Sequence, residues 1–172
     1  MTDSDVRFRG RIVTVSVEHV RLPNGAELEM EVVEHPGGAA IVAIDAQRRV
    51  CLLRQYRHVI GDWLWELPAG KRDNDEDSAL TAVRELQEEA GVTAATWVDL
   101  GKVISSPGVF TEVVHLFMAR DLQPTPRSPE HHEVLEVHWL DFDQALQMAQ
   151  DGDIRDAKTL IGLYRAQNAL TQ

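Results

Sequence analysis

The sequence has a single cysteine, Cys51, which excludes any disulfide framework within one chain. Cys51 stands in the apolar run Val50-Cys51-Leu52-Leu53, so its expected role is core packing. No apolar run approaches the roughly 18 residues that a membrane-spanning helix needs. The first residues, MTDSDVRFRG, are polar and charged rather than signal-like. A soluble, cytoplasmic protein without a membrane partner is the expectation. Positive charge is also scarce: 17 lysines and arginines stand against 28 aspartates and glutamates, a formal net charge of -11. That balance argues against a general nucleic-acid binder, whose affinity rests on a basic surface facing phosphates. It does not exclude phosphate ligands, because an acidic protein approaches a polyanion through bound divalent cations and a few placed arginines. Internal repeats and low-complexity tails are absent.

What is present fits one compact domain with a short appendage, since 172 residues at 44% hydrophobic leave ample material for one core. From Arg11 to Glu34 two alternating stretches, Ile12 to Val17 and Glu27 to Val33, flank Pro23-Asn24-Gly25 and predict a hairpin. An isolated hairpin is marginal in water, so it must pack on something. Ala39 to Asp45, Val50 to Tyr56, Trp97 to Ile104, Val113 to Ala119 and Val134 to Leu140 read as further strands. Trp63-Leu64-Trp65-Glu66-Leu67-Pro68-Ala69-Gly70 reads as a strand end running into a loop. Asp73 to Asp77 supplies N-caps for a helix with Ala79, Val83, Leu86 and Ala90 on one face and Gly91 as its stop. Phe142 to Gln150 and Ile154 to Ala169 read as helices separated by Gly152, and Pro124, Pro126 and Pro129 mark an irregular loop.

On the first helix Glu85, Glu88 and Glu89 fall at i, i+3 and i+4, so their carboxylates crowd one face. Each like-charge pair costs roughly 0.2 to 0.5 kcal/mol, and negative charge in a last turn also opposes the helix dipole. Arg84 is the sole nearby base, placed to pair with Glu88 at i+4. Three crowded glutamates alone read as a solvated acidic face. The frame around them is what distinguishes this cluster: Gly70, Glu76, Arg84-Glu85-Leu86, Glu88-Glu89 and Gly91-Val92 meet nine specified positions at fixed spacing.

This frame resembles the Nudix box, G-x5-E-x7-R-E-U-x-E-E-x-G-U with U aliphatic, and the resemblance runs from about Glu31 to Tyr164. It implies an α/β fold: a Nudix α/β/α sandwich with a mixed β-sheet over residues 38–172, preceded by an N-terminal β-hairpin extension over 1–37. It also implies magnesium, with manganese as the alternative, held by Glu85, Glu88, Glu89 and the carbonyl of Ala69. Arg84 and Glu76 then orient helix and loop rather than touch phosphate. Magnesium prefers hard oxygen ligands and keeps waters that a phosphate can replace, which agrees with this set.

Gln55-Tyr56-Arg57, Trp65 to Gly70, Ser106-Pro107-Gly108 and Gly152 to Thr159 look like the ADP-ribose and GDP-mannose pyrophosphatase branch. Pro107, sixteen residues after Gly91, is a mark of ADP-ribose hydrolysers. By similarity Arg57 contacts the diphosphate, Glu112, Lys158 and Pro107 belong to the substrate side, and Glu88 and Glu133 are the catalytic candidates. Two histidines in Glu130-His131-His132-Glu133 depart from the branch's usual acidic run, which leaves the base open between Glu133, a histidine and a box glutamate. A zinc site from His131, His132 and Glu133 is a weaker alternative to solvated histidines. In this branch the hairpin commonly crosses to a second subunit, which implies a homodimer and makes Glu31, Glu34 and His35 candidate contacts to the partner's ligand. The expected activity is magnesium-dependent hydrolysis of a nucleoside diphosphate sugar to a nucleoside monophosphate and a sugar phosphate. The alternatives are a house-cleaning nucleoside triphosphate pyrophosphohydrolase and a non-catalytic nucleotide sensor of the same fold.

Overall fold

The computed structural model describes residues 3–73, 76–129, 131 and 133–171. β1 (Asp3–Arg9), β2 (Thr14–Arg21) and β3 (Glu27–Glu34) form an antiparallel sheet in that order. The β2–β3 hairpin turns at Pro23-Asn24-Gly25, where Gly25 takes φ 86 and the Ala26 amide donates to Asn24 Oδ1. The expected hairpin is thus one strand short. β1 has only Val6 and Phe8 as large apolar residues, too brief an alternation to be read, and becomes a strand by pairing with β2. This sheet meets the rest of the chain at Val33, whose amide donates to the Val109 carbonyl and whose carbonyl accepts from Thr111.

The body has two further sheets. β4 (Gly38–Ala43), β7 (Ala69–Lys71), β8 (Val92–Ile104) and β9 (Val113–Pro124) make a mixed sheet in the order β7-β4-β9-β8, with β4 and β9 parallel. β5 (Arg49–Arg57), β6 (Asp62–Glu66) and β10 (Leu135–Asp141) make an antiparallel sheet in the order β10-β5-β6. Strand alternation sends side chains to opposite faces. Ala40, Val42, Val50, Leu52, Leu116 and Met118 meet α2 (Phe142–Asp151) and α3 (Ala157–Leu170) in one core. Ala39, Ile41, Cys51 and Leu53 meet α1 (Ser78–Glu85) and the π-helical turn Leu86–Ala90 in the other. The sheets are therefore covered on both sides, the expected α/β/α sandwich. Cys51 is fully buried, as expected, and burial pushes its thiol up to about 12. Among the described residues no helix is long and apolar enough to cross a membrane.

Two helix expectations are corrected. Asp77 caps α1 and Gly91 ends the π turn at φ 69, but Ala79 and Val83 are exposed. Ala82, Leu86 and Ala90 face the core instead, with Glu85 and Glu89 buried beside them. The burial of polar side chains rotates the helix away from its most apolar stripe. The last helix begins at Ala157 rather than Ile154, because Asp156 is its N-cap and accepts from the Thr159 amide.

Candidate active site

The site is built on the short connection from β6 to β7, whose backbone is anchored on several sides. The Leu67 amide donates to Thr159 Oγ1 of α3 at 2.9 Å, and the Pro68 carbonyl accepts from Ile41 of β4 at 2.9 Å. The Ala69 amide donates to Glu89 Oε2 at 2.8 Å. Gly70 lies directly beneath Glu85: a Cβ there would collide with the Glu85 carboxylate. The loop and the acidic turn are thus locked face to face, and Glu85 and Glu89 are both buried between them. The turn that carries them is π-helical, a wider winding frequently found at functional positions.

Burial raises the proton affinity of both carboxyls. Glu89 is pushed up to about 8 by burial, against the Ala69 hydrogen bond and with the charges of Glu85 and Glu133 adding to the rise. Glu85 is pushed up to about 6, again by burial first, with Arg84 opposing. Arg84 Nη1 donates to Glu85 at 2.7 Å and Glu88 at 3.1 Å, while Nη2 donates to Glu76 at 3.1 Å and to the Lys71 carbonyl at 3.2 Å. Its Nε is buried without a hydrogen-bond partner. Arg84 thereby ties helix to loop. It also pairs with the half-buried Glu88, while Glu85 and Glu89 meet the loop at Ala69-Gly70. Among the described residues no three histidine, cysteine, aspartate or glutamate side chains already stand together as a cation cage. The donors still suit a hard divalent cation: two buried carboxylates with charge that burial disfavours, beside a loop carbonyl.

Next to this lies a cavity of about 310 Å³ lined by His35, Arg57, Ala69, Gly70, Glu112 and Lys158, among others. Arg57 and Lys158 also border a second, more open recess, which Glu133 and Glu66 line. Three sequence candidates, Arg57, Glu112 and Lys158, are thus brought to one cavity, and Glu133 shares the second recess with Arg57 and Lys158. Pro107 does not line it; the proline sits in an exposed turn where Val109 and Phe110 amides donate to the Ser106 carbonyl, and Ser105 reaches the cavity instead. His35, expected to serve a partner's ligand, lines its own chain's cavity. Its Nδ1 accepts from the Gly37 amide at 3.1 Å and lies 3.4 Å from Glu112, with the ring packed on Phe110. Burial lowers its pKa. Glu31 and Glu34 are exposed on β3. His131 is exposed, and the zinc alternative falls partly on His132, outside the described residues.

Sequence reasoning passed over the group that connects Arg57 and Lys158. Glu66, 2% exposed, accepts from Arg57 Nε at 2.7 Å and Nη2 at 2.8 Å, and from Lys158 Nζ at 2.5 Å. Lys158 is also 3.0 Å from Asp156. Burial pushes the Glu66 carboxyl up, but the hydrogen bond of Arg57 and the charges of Lys158 and Arg57 hold it down at about 2.

Residues 34–161 match the NUDIX domain. The chain belongs to this family. An ADP-ribose pyrophosphatase of Bacillus subtilis is 33% identical over 162 residues, covering 93% of this chain and 88% of that protein. A GDP-mannose pyrophosphatase of Klebsiella pneumoniae is 37% identical over 151 residues, covering 81% of this chain and 75% of that protein. The NUDIX fold is also that of a crystal structure described as an ADP compounds hydrolase, with a TM-score of 0.85 at 22% identity over 99% of this chain and 94% of that one.

Proposed function

We propose that this NUDIX chain hydrolyses the pyrophosphate bond of ADP-ribose or a related nucleoside diphosphate sugar, giving a nucleoside monophosphate and a sugar phosphate. The observation that carries the reading is a single cavity floored by Ala69 and Gly70, against which Glu85 and Glu89 sit, and walled by Arg57 and Lys158. One end receives a cation and the other an anion. The relatives named for ADP-ribose and GDP-mannose hydrolysis support the same chemistry.

Glu85 and Glu89, with the Ala69 carbonyl, are the proposed ligands of magnesium, or of manganese in its place. When bound, such an ion neutralises pyrophosphate oxygens and acidifies a water. The planar fork of Arg57 suits two diphosphate oxygens at once, and Lys158 adds a point charge. Glu112, in the same cavity, accepts from sugar hydroxyls. Glu133 and Glu88 are the candidate bases. Incubation with magnesium and ADP-ribose, GDP-mannose or UDP-glucose is expected to release both products; no turnover of any of the three defeats the reading.

Residues 1–37 are proposed as a dimerisation arm in a cytoplasmic homodimer. Val6, Phe8, Ile12 and Leu28 are exposed in or beside its strands, apolar surface that a second chain would cover. A solution mass equal to one chain at assay concentration sinks this part.

A further inference from the structure

We infer that Glu66 is a positioning residue that fixes Arg57 and Lys158 as a preformed clamp for the substrate's diphosphate. The inference rests on the proposed hydrolysis for its ligand, and on the geometry for everything else.

Arg57 and Glu66 end adjacent strands. In the β5–β6 register Arg57 pairs with Asp62 and Leu53 with Glu66, so alternation puts Arg57 and Glu66 on one face. The long arginine side chain runs back across that offset to reach the carboxylate. Lys158 arrives from the first turn of α3, 92 residues further along the chain. Three elements therefore meet on one buried carboxylate.

A carboxylate buried this deeply is stable only when paired. Among the described residues Glu66 accepts from two cations, Arg57 and Lys158. Of the five guanidinium donors, Arg57 commits its Nε and one from Nη2, which leaves the Nη1 edge for a ligand. Lys158 donates one of its three protons to Glu66 and pairs in charge with Asp156 at 3.0 Å. Both cations line the cavity. Glu66 and Asp156 balance Arg57 and Lys158 in charge, so the pair does not maximise positive potential. What it provides is order, since the contacts to Glu66 restrict both long side chains before an anion arrives.

Glu66→Gln keeps the volume and removes the charge, while its amide donors oppose those of Arg57 or Lys158. The test is calorimetric binding of ADP-ribose in EDTA, which needs no turnover, alongside KM and kcat with magnesium. With one charge-assisted pair lost, ADP-ribose Kd and KM are expected to rise about tenfold or more, with a smaller fall in kcat. A cycle with Arg57→Gln separates positioning from mere cross-linking of β6 to α3. If Glu66 acts through Arg57 and Lys158 together, E66Q raises Kd by less once Arg57 is gone than it does in wild type. Unchanged Kd in a folded E66Q protein, or full additivity in the double variant, overturns the inference. Should E66Q fail to fold, Glu66→Asp retains the charge on a shorter arm: a raised Kd with Tm kept supports positioning, and an unchanged Kd overturns it. If wild type binds ADP-ribose with Glu66-dependent Kd but turns over no diphosphate sugar, the proposed activity fails while this inference stands.

Discussion

The carboxylate of Glu85 fills the space that a Cβ on residue 70 would need, so Gly70 and Glu85 fit only because one of them has no side chain. Glycine at this point is a requirement of close approach rather than of backbone angle. Gly70→Ala must push Glu85 off its place above Ala69-Gly70. Misplacing a reacting group by about 1 Å costs on the order of a hundredfold in rate. A fall of that size in kcat, in a protein that still folds by circular dichroism, is expected. Full activity in G70A would show that Glu85 has no fixed task there.

Glu85 and Glu89 also set a pH dependence whose sign follows from burial. Their folded-state values, about 6 and about 8, lie above the ordinary 4.5. A group raised in this way contributes stability that is fully present below pH 4.5 and is lost as pH climbs through 6 and then 8. In EDTA, melting temperature should therefore decline across that window. A divalent cation binds the deprotonated carboxylates, so the stabilisation by magnesium should be small near about pH 5 and grow toward about pH 9. Glu89→Gln removes most of both effects. Scanning calorimetry at a series of pH values checks this, and a magnesium shift independent of pH contradicts it.

How much of this was readable without coordinates differs from residue to residue. Glu85, Glu88, Glu89 and Gly70 announce themselves because their spacing is local and rigid. Even there the helix was misjudged: the stripe through Ala79 and Val83 is outside, because the chain buries Glu85 and Glu89 for the loop and turns the helix to do so. Arg57, Glu112 and Lys158 were found through motif likeness, and they do share a cavity. Glu66 and Asp156 were not found. A glutamate closing a strand gives no local sign of a lysine partner 92 residues away. Nor does the sequence around His35 show that the residue lines its own chain's cavity, since its neighbours Glu112 and Phe110 come from beyond β8. β1 was missed because its apolar content is too low for period-two patterning, and only pairing makes it a strand.

Thr159 joins α3 to the active-site loop. Its hydroxyl accepts from the Leu67 amide at 2.9 Å and donates to Asp156 Oδ2 at 2.6 Å. Thr159→Val keeps the shape and leaves the buried Leu67 amide without an acceptor. Such a group costs roughly 1 to 3 kcal/mol. For a chain of this length a loss of about 1 kcal/mol lowers Tm by roughly 2 to 4 °C. Thr159→Ser restores the hydroxyl and most of the stability. Equal melting temperatures for T159V and wild type would remove the loop anchor from the account.

Arg127 secures the other end of the acidic turn. Its Nε donates to the Glu89 carbonyl at 2.7 Å, the Ser128 amide to the Glu88 carbonyl at 3.1 Å, and the Thr125 amide to the Gly91 carbonyl at 2.9 Å. These donors satisfy carbonyls that a helix end leaves open. These contacts fasten the 125–128 segment to the turn that carries Glu88 and Glu89. Arg127→Ala, at a largely exposed residue, is expected to cost only about 1 kcal/mol of stability. The effect on kcat should be larger than that figure implies, about tenfold, because the turn that carries Glu88 and Glu89 loses an anchor at the Glu89 carbonyl. Stopped-assay kcat and thermal melts on one preparation decide it: a change in Tm without one in kcat would make Arg127 a helix cap and nothing more.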